Sequence, residues 1–294
     1  MRPDHVDPSG VAAAAMATML YGLAVVMQKS QAERVSATGV RILGSLARRP
    51  VWLLAIAIQV VGLVFHSYAL TCVPVAVVQP IIASGVVFVV LFAFLILGER
   101  PRRRELAGTA CLVTGIAILA VVLRGSAAIR DIVPEDLGLA LGSCVVLIAV
   151  LTGSGRISGV GRSLSAVALA GAAGLGQGMS DAMNRLVGAW LVPTLGWVPP
   201  ASMAFAALLL LVGFGIQGLA TAQNALRSYR ANTVVPALVA AQLLVPIAMA
   251  QAVYGQDVRV SSRGALALAA FGIAAGLAIL CTSPRALGRV SRSA

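Results

Sequence analysis

A chain of 294 residues that is 59% hydrophobic and only 11% charged has too few polar side chains to cover a soluble domain, in which about a quarter of residues are charged. Its mean hydropathy is +0.95. The net charge of +12 would suggest nucleic acid in a soluble protein, but the basic residues fall between apolar segments, where they orient membrane spans; no nucleic-acid partner is expected.

Nine segments meet the requirement of about 20 mostly apolar residues for a helical span. The first, 10–28, reads as a retained span rather than a signal peptide, because Lys29, Arg34 and Arg41 follow it without a small-residue cleavage site. It carries Thr18, Tyr21 and Gln28 at spacings of three and seven, which share a helix face. An extended loop is expected over 29–50. The second span, 51–71, holds His66 near its middle, where it is either a proton relay or a donor to a neighbouring carbonyl.

The third span, 74–97, contains Gln79-Pro80. Proline frees a carbonyl four residues back, and broken helices of this kind supply backbone ligands at a transporter midplane. The fourth is 106–123 and the fifth, 137–152, is short; the Gly- and Ser-rich stretch 153–163 reads as a linker.

The sixth span, 164–187, is the least ordinary. Gln177, Asp181, Asn184 and Arg185 recur at three- and four-residue intervals, on or near one face. Asp181 is the one acid placed within a span, and an intramembrane ionisable group costs several kcal/mol unless it meets water or a partner. It is either part of a substrate or proton site, or half of a self-neutralising pair with Arg185. The seventh span is 201–222, the eighth, 234–254, carries Pro236, Gln242 and Pro246, and the ninth is 264–282.

These runs are continuously apolar rather than alternating, which excludes a β-barrel. Cys72, Cys111, Cys144 and Cys281 lie far apart with no C-x-x-C pair, so no zinc or redox site is indicated. The sequence has no H-E-x-x-H, no G-x-S-x-G and no phosphate loop ending in Lys-Ser/Thr. Neither an enzyme nor a cofactor is expected.

The halves carry one pattern at a constant offset of 156 residues. Pro80 falls on Pro236, Gly22 on Gly178, Gly62 on Gly218, Gly108 on Gly264, Tyr21 on Gln177 and Lys29 on Arg185. Transporters are commonly built from such duplicated halves, with the substrate where they meet. With the N-terminus outside, 16 basic residues lie on the inside and 5 on the outside, a strong positive-inside bias. That topology makes the repeat inverted. The expected fold is therefore all-α: a polytopic helical membrane protein of about nine transmembrane helices, with residues 1–156 as a five-span repeat and 157–294 as a four-span repeat with a basic tail.

The run Pro80…Gly98-Glu99-Arg100…Gly108…Gly115, preceded by Ala69-Leu70, resembles the drug/metabolite transporter superfamily in its EamA-like form. Within it, the nine-span layout, outside N-terminus and long inside loop look similar to the NIPA-type magnesium transporters. The resemblance implies transport, by alternating access across the plasma membrane, of a small solute such as a divalent cation, with Asp181 as its metal ligand. Tyr21, Gln28, His66, Gln79, Gln177, Asp181, Asn184 and Gln242 are the candidate substrate-binding residues. The same amides suit export of an amino acid or other polar metabolite, and a non-transporting scaffold or sensor is the alternative of another class. The expected partners are the lipid bilayer and a small-molecule or ion substrate, with a homodimer left open and the C-terminus cytoplasmic.

Overall fold

The computed structural model describes residues 8–72, 78, 81–82, 84–124, 134–155, 161–191, 199–253, 259–260 and 262–282. Ten helices account for almost all of them: α1 (Pro8–Ala32), α2 (Arg41–Leu46), α3 (Pro50–Cys72), α4 (Gly85–Leu97), α5 (Arg103–Val122), α6 (Pro134–Ser154), α7 (Arg162–Leu191), α8 (Ala201–Ser228), α9 (Ala231–Ala252) and α10 (Arg263–Cys281). A two-residue antiparallel bridge joins β1 (Leu123–Arg124) to β2 (Arg259–Val260).

Each expected span contains one of these helices, and the differences lie at the ends. The loop expected over 29–50 is partly helical. α1 runs on to Ala32, so Lys29 belongs to a helix, and α2 buries Ile42 and Leu46 against Val35 and Trp52. The reason is local packing: an apolar pair one turn apart within a basic segment has a protein surface to cover. In the third expected span, Ile81 and Ile82 are helical, Ser84 forms a turn and α4 begins at Gly85. Gln79 and Pro80 lie outside the described residues.

Among the described residues, four helices are long and apolar enough to cross a membrane alone, namely Pro8–Ala32, Glu135–Ser154, Ala201–Ser228 and Arg263–Leu280. Shorter apolar stretches occur at Pro50–His66, Gly85–Leu97 and Ala231–Val245. Large apolar side chains, among them Leu63, Leu95, Leu209 and Phe271, stand exposed on the outer faces. In water they would be a liability, whereas in lipid they need no partner. The interior is built from small residues. Val26, Val89 and Ala93 of the first half pack with Ala170, Ala173, Ala222, Ala225, Val234 and Val235 of the second. Buried alanine lets helix backbones approach closely, and in a bilayer such contact drives association.

Glycines set the tightest crossings. α5 meets α10 where a Cβ on Gly115 would lie 2.7 Å from the Ile273 nitrogen, and one on Gly276 2.7 Å from the Gly108 carbonyl oxygen. α1 packs on α3 and α4, as α7 does on α8 and α9. A Cβ on Gly62 would lie 2.9 Å from the Tyr21 ring, and one on Gly218 would lie 2.9 Å from Gln177 Cγ. Gly22 similarly abuts Val89 and Gly178 abuts Val245. These contacts recur at the offset of 156 residues.

Candidate functional site

Tyr21 sits midway along α1, and the absence of a side chain at Gly62 leaves a slot on α3 for its ring. One turn further along α3, His66 meets that ring edge-on, with centroids 6.2 Å apart and planes at 81°. His66 Nε2 is buried without a hydrogen-bond partner. On the opposite half, Asp181 of α7 accepts a 2.9 Å hydrogen bond from Gln242 Nε2 of α9. Asp181 itself is exposed on α7. Each half thus carries a polar pair, Tyr21 with His66 on α1 and α3, and Asp181 with Gln242 on α7 and α9.

The other expected residues are placed differently. Gln28 is buried in a chain of amides, donating to Gln59 at 2.6 Å and accepting from Gln223 at 2.7 Å. That chain ties α1 to α3 and α8. Gln177 lies on Gly218, half-buried. Asn184 is exposed on α7, one turn beyond Asp181. Gln79 is outside the described residues, as is the side chain of Arg185. Among the described residues no group of three or more His, Cys, Asp or Glu is arranged to hold a metal ion; the hydrogen-bond partner described for Asp181 is the Gln242 amide.

A second polar assembly was not expected. Lys29, counted from the sequence as an inside anchor, is completely buried. Its ammonium donates to Glu33 at 2.7 Å, to the Leu226 carbonyl at 2.7 Å and to the Tyr229 carbonyl at 2.6 Å, and lies 3.5 Å from Glu99. Arg230, between α8 and α9, donates to Glu105 at 2.9 Å and to the Arg100 carbonyl at 2.6 Å, with its Nε 3.8 Å from Glu99. Burying Lys29, Arg230, Glu99 and Glu105 together is tolerable because each cation lies beside a carboxylate.

Local sequence explains how the carboxylates arrive. Gly98 adopts φ 66°, a left-handed conformation that costs glycine little, and ends α4. The Glu99 N–H then bonds back to the Ala93 carbonyl, a Schellman-type closure that swings the Glu99 side chain towards Lys29. Glu105 stands at the third position of α5 and accepts from the Arg102 N–H, as in a capping box, while its other oxygen meets Arg230. The sequence did hold a signal: Lys29 is the only lysine, with an acid four residues on. Burial pushes the Glu99 carboxyl above its usual range, and Lys29 and Arg230 only partly offset this.

Long apolar helices with apolar outer faces, packed through small residues around a few buried polar side chains, define a polytopic helical membrane protein. Residues 8–121, from α1 through most of α5, match the EamA-like transporter family. The match spans less than half of the chain. No curated protein and no solved structure matches it significantly.

Proposed function

We propose that the protein is a secondary transporter that moves a small polar solute across the plasma membrane by alternating access, between inverted halves at 1–156 and 157–294. The observation that carries this is a polar pair set in the apolar helices of each half, Tyr21 with His66 and Asp181 with Gln242. A carboxylate at mid-depth with a single described hydrogen bond is costly unless it serves a ligand or a proton. The family match over residues 8–121 supports transport independently of that geometry.

The chemistry favours an organic solute carrying an ammonium or amide donor, such as an amino acid. Asp181 would take the donor, the Tyr21 ring would lie against a cationic group, and Gln242 would hold the carboxylate in position. Magnesium is the second reading, favoured by the accessible Asp181 carboxylate; a magnesium ion that keeps most of its waters needs one or two such oxygens. The N-terminus is read as outside, which puts the Lys29–Arg230 assembly at the cytoplasmic end. A homodimer is compatible with the apolar outer faces.

The test is flux in proteoliposomes. Counterflow of labelled amino acids and other polar metabolites, run beside magnesium influx onto an entrapped indicator, separates the two substrates. Asp181→Asn should abolish whichever flux the wild type shows. A folded wild-type protein that moves none of them would leave the scaffold or sensor reading standing.

A further inference from the structure

The charge assembly at the cytoplasmic end holds three carboxylates against two cations. Lys29 pairs closely with Glu33 and Arg230 with Glu105, at 2.7 and 2.9 Å. Those two pairs are already neutral. Glu99 stands between the cations at 3.5 and 3.8 Å, and its Oε2 is buried without a hydrogen-bond partner. With Lys29 also paired to the partly exposed Glu33 and Arg230 to the buried Glu105, an ionised Glu99 gives the assembly one negative charge in excess, whereas a neutral carboxyl leaves it balanced.

The assembly also joins the halves. Lys29 and Glu33 belong to α1, Glu99 follows α4 and Glu105 opens α5, while Leu226, Tyr229 and Arg230 belong to the turn between α8 and α9. Opening a path from the mid-depth site to the cytoplasm requires this contact to part. In the first turn of α9, next to Arg230, Asn232 and Thr233 are fully buried, and their side-chain polar atoms have no partner. Buried polar groups are rarely left unpaired, so these side chains favour an arrangement that pairs or hydrates them.

Resting on the transport reading above, we propose that Glu99 is the proton-binding site of an inner gate, held protonated while the gate is closed and releasing its proton to the cytoplasm when the gate opens. The O–H bond of the Glu99 carboxyl breaks, the proton passes to cytoplasmic water, and the carboxylate left behind is solvated by the same opening. Glu33 and Lys29 on α1, Arg230 between α8 and α9, and Glu105 on α5 are the charged groups that face it. The raised affinity of the buried Glu99 carboxyl for protons agrees in sign: the closed state binds the proton better than an open, hydrated one, so acid favours closure.

The test needs no substrate. With the four native cysteines replaced by serine, Ala222→Cys places a thiol at a buried position of α8, one turn before Leu226. A membrane-impermeant maleimide is applied to the cytoplasmic face of inside-out vesicles. Labelling is divided by that of the exposed Ala47→Cys, which removes the thiol's own pH dependence. Relative labelling should rise severalfold as pH climbs above the ordinary carboxylate range, and in Glu99→Gln it should stay low at every pH. A flat wild-type profile, an unchanged profile in Glu99→Gln, or high labelling of Glu99→Gln throughout would overturn the gate.

Should Glu99→Gln fail to fold, the infrared spectrum of wild type with isotope-labelled glutamate decides. A protonated glutamate band must be present at a pH where ordinary carboxyls are ionised, and its absence sinks the proposal. Proton-linked labelling in a protein that moves no solute would refute transport and leave the gate; flux with pH-independent labelling would do the reverse.

Discussion

Lys29 of α1 donates a 2.6 Å hydrogen bond to the carbonyl of Tyr229, 200 residues further along the chain. One buried ammonium thereby fastens the first helix of the protein to the turn between α8 and α9. The contact lies about 12 Å below Tyr21, judged from eight residues of helix at 1.5 Å each. Removing it should be felt throughout that end of the helix bundle. Lys29→Met leaves the Leu226 and Tyr229 carbonyls and the Glu33 carboxylate without their donor, so a loss of roughly 3–5 kcal/mol is expected. Thermal unfolding in detergent measures it, and adding Glu99→Gln should leave the loss nearly unchanged, because a neutral Glu99 carboxyl is replaced by a neutral amide.

The amide chain makes a separate prediction. Gln28→Leu strands the facing groups of Gln59 and Gln223 in a dry interior, at about 1–3 kcal/mol. Replacing all three glutamines by leucine should cost less than the single change, because no orphan then remains. A triple variant weaker than Gln28→Leu in the same unfolding assay would contradict this account.

At the two repeated crossings the effect of alanine should be unequal. The nearest atoms to a Cβ at Gly62 belong to the Tyr21 ring, which can shift, whereas Gly218→Ala meets the backbone Gln177 nitrogen at 2.8 Å and the Ala173 carbonyl oxygen at 3.0 Å. Overpacking of this kind costs about 1–3 kcal/mol, with the larger value expected at Gly218. Comparison of the two melting temperatures tests the order.

Asp181→Asn should keep the fold while removing the charge that the proposed solute needs. Its amide oxygen can still accept from Gln242, so a change in stability within about 1 kcal/mol is expected. Flux should fall to the level of empty vesicles. Retained flux would move the substrate site away from α7.

Stability should also depend on pH through Glu99. Because its carboxyl is raised in the folded protein, the folded state binds the proton more tightly than the unfolded one. Stability is then greatest below the ordinary carboxylate range and is lost as pH rises through the raised value. The difference in melting temperature between wild type and Glu99→Gln, followed across that range, isolates the effect from the other acids.

Much of this fold was legible in the residues. Long apolar runs admit few solutions in a membrane, because each must satisfy its own backbone polar groups, and α1, α3 and α5 to α10 fall where those runs lie. The pairing of Tyr21 with His66 and of Asp181 with Gln242 was legible only as polarity on single helices. Lys29 and Arg230 were misread: counting basic residues near span ends treats a solvated anchor and a buried ion alike. The Gly98-Glu99-Arg100 motif was visible, but its physical work, which is to turn the chain and carry a carboxyl inward, depends on where Lys29 and Arg230 arrive.

By itself the sequence determined which segments are helical, that they lie in lipid, and that the two halves share one pattern. Apolar periodicity and helix-ending residues are local properties, and local physics reads them. Only the tertiary structure decided which polar side chains share a dry interior. The energy of a buried charge or amide is set by its few nearest neighbours, and those neighbours lie as many as 200 residues away along the chain.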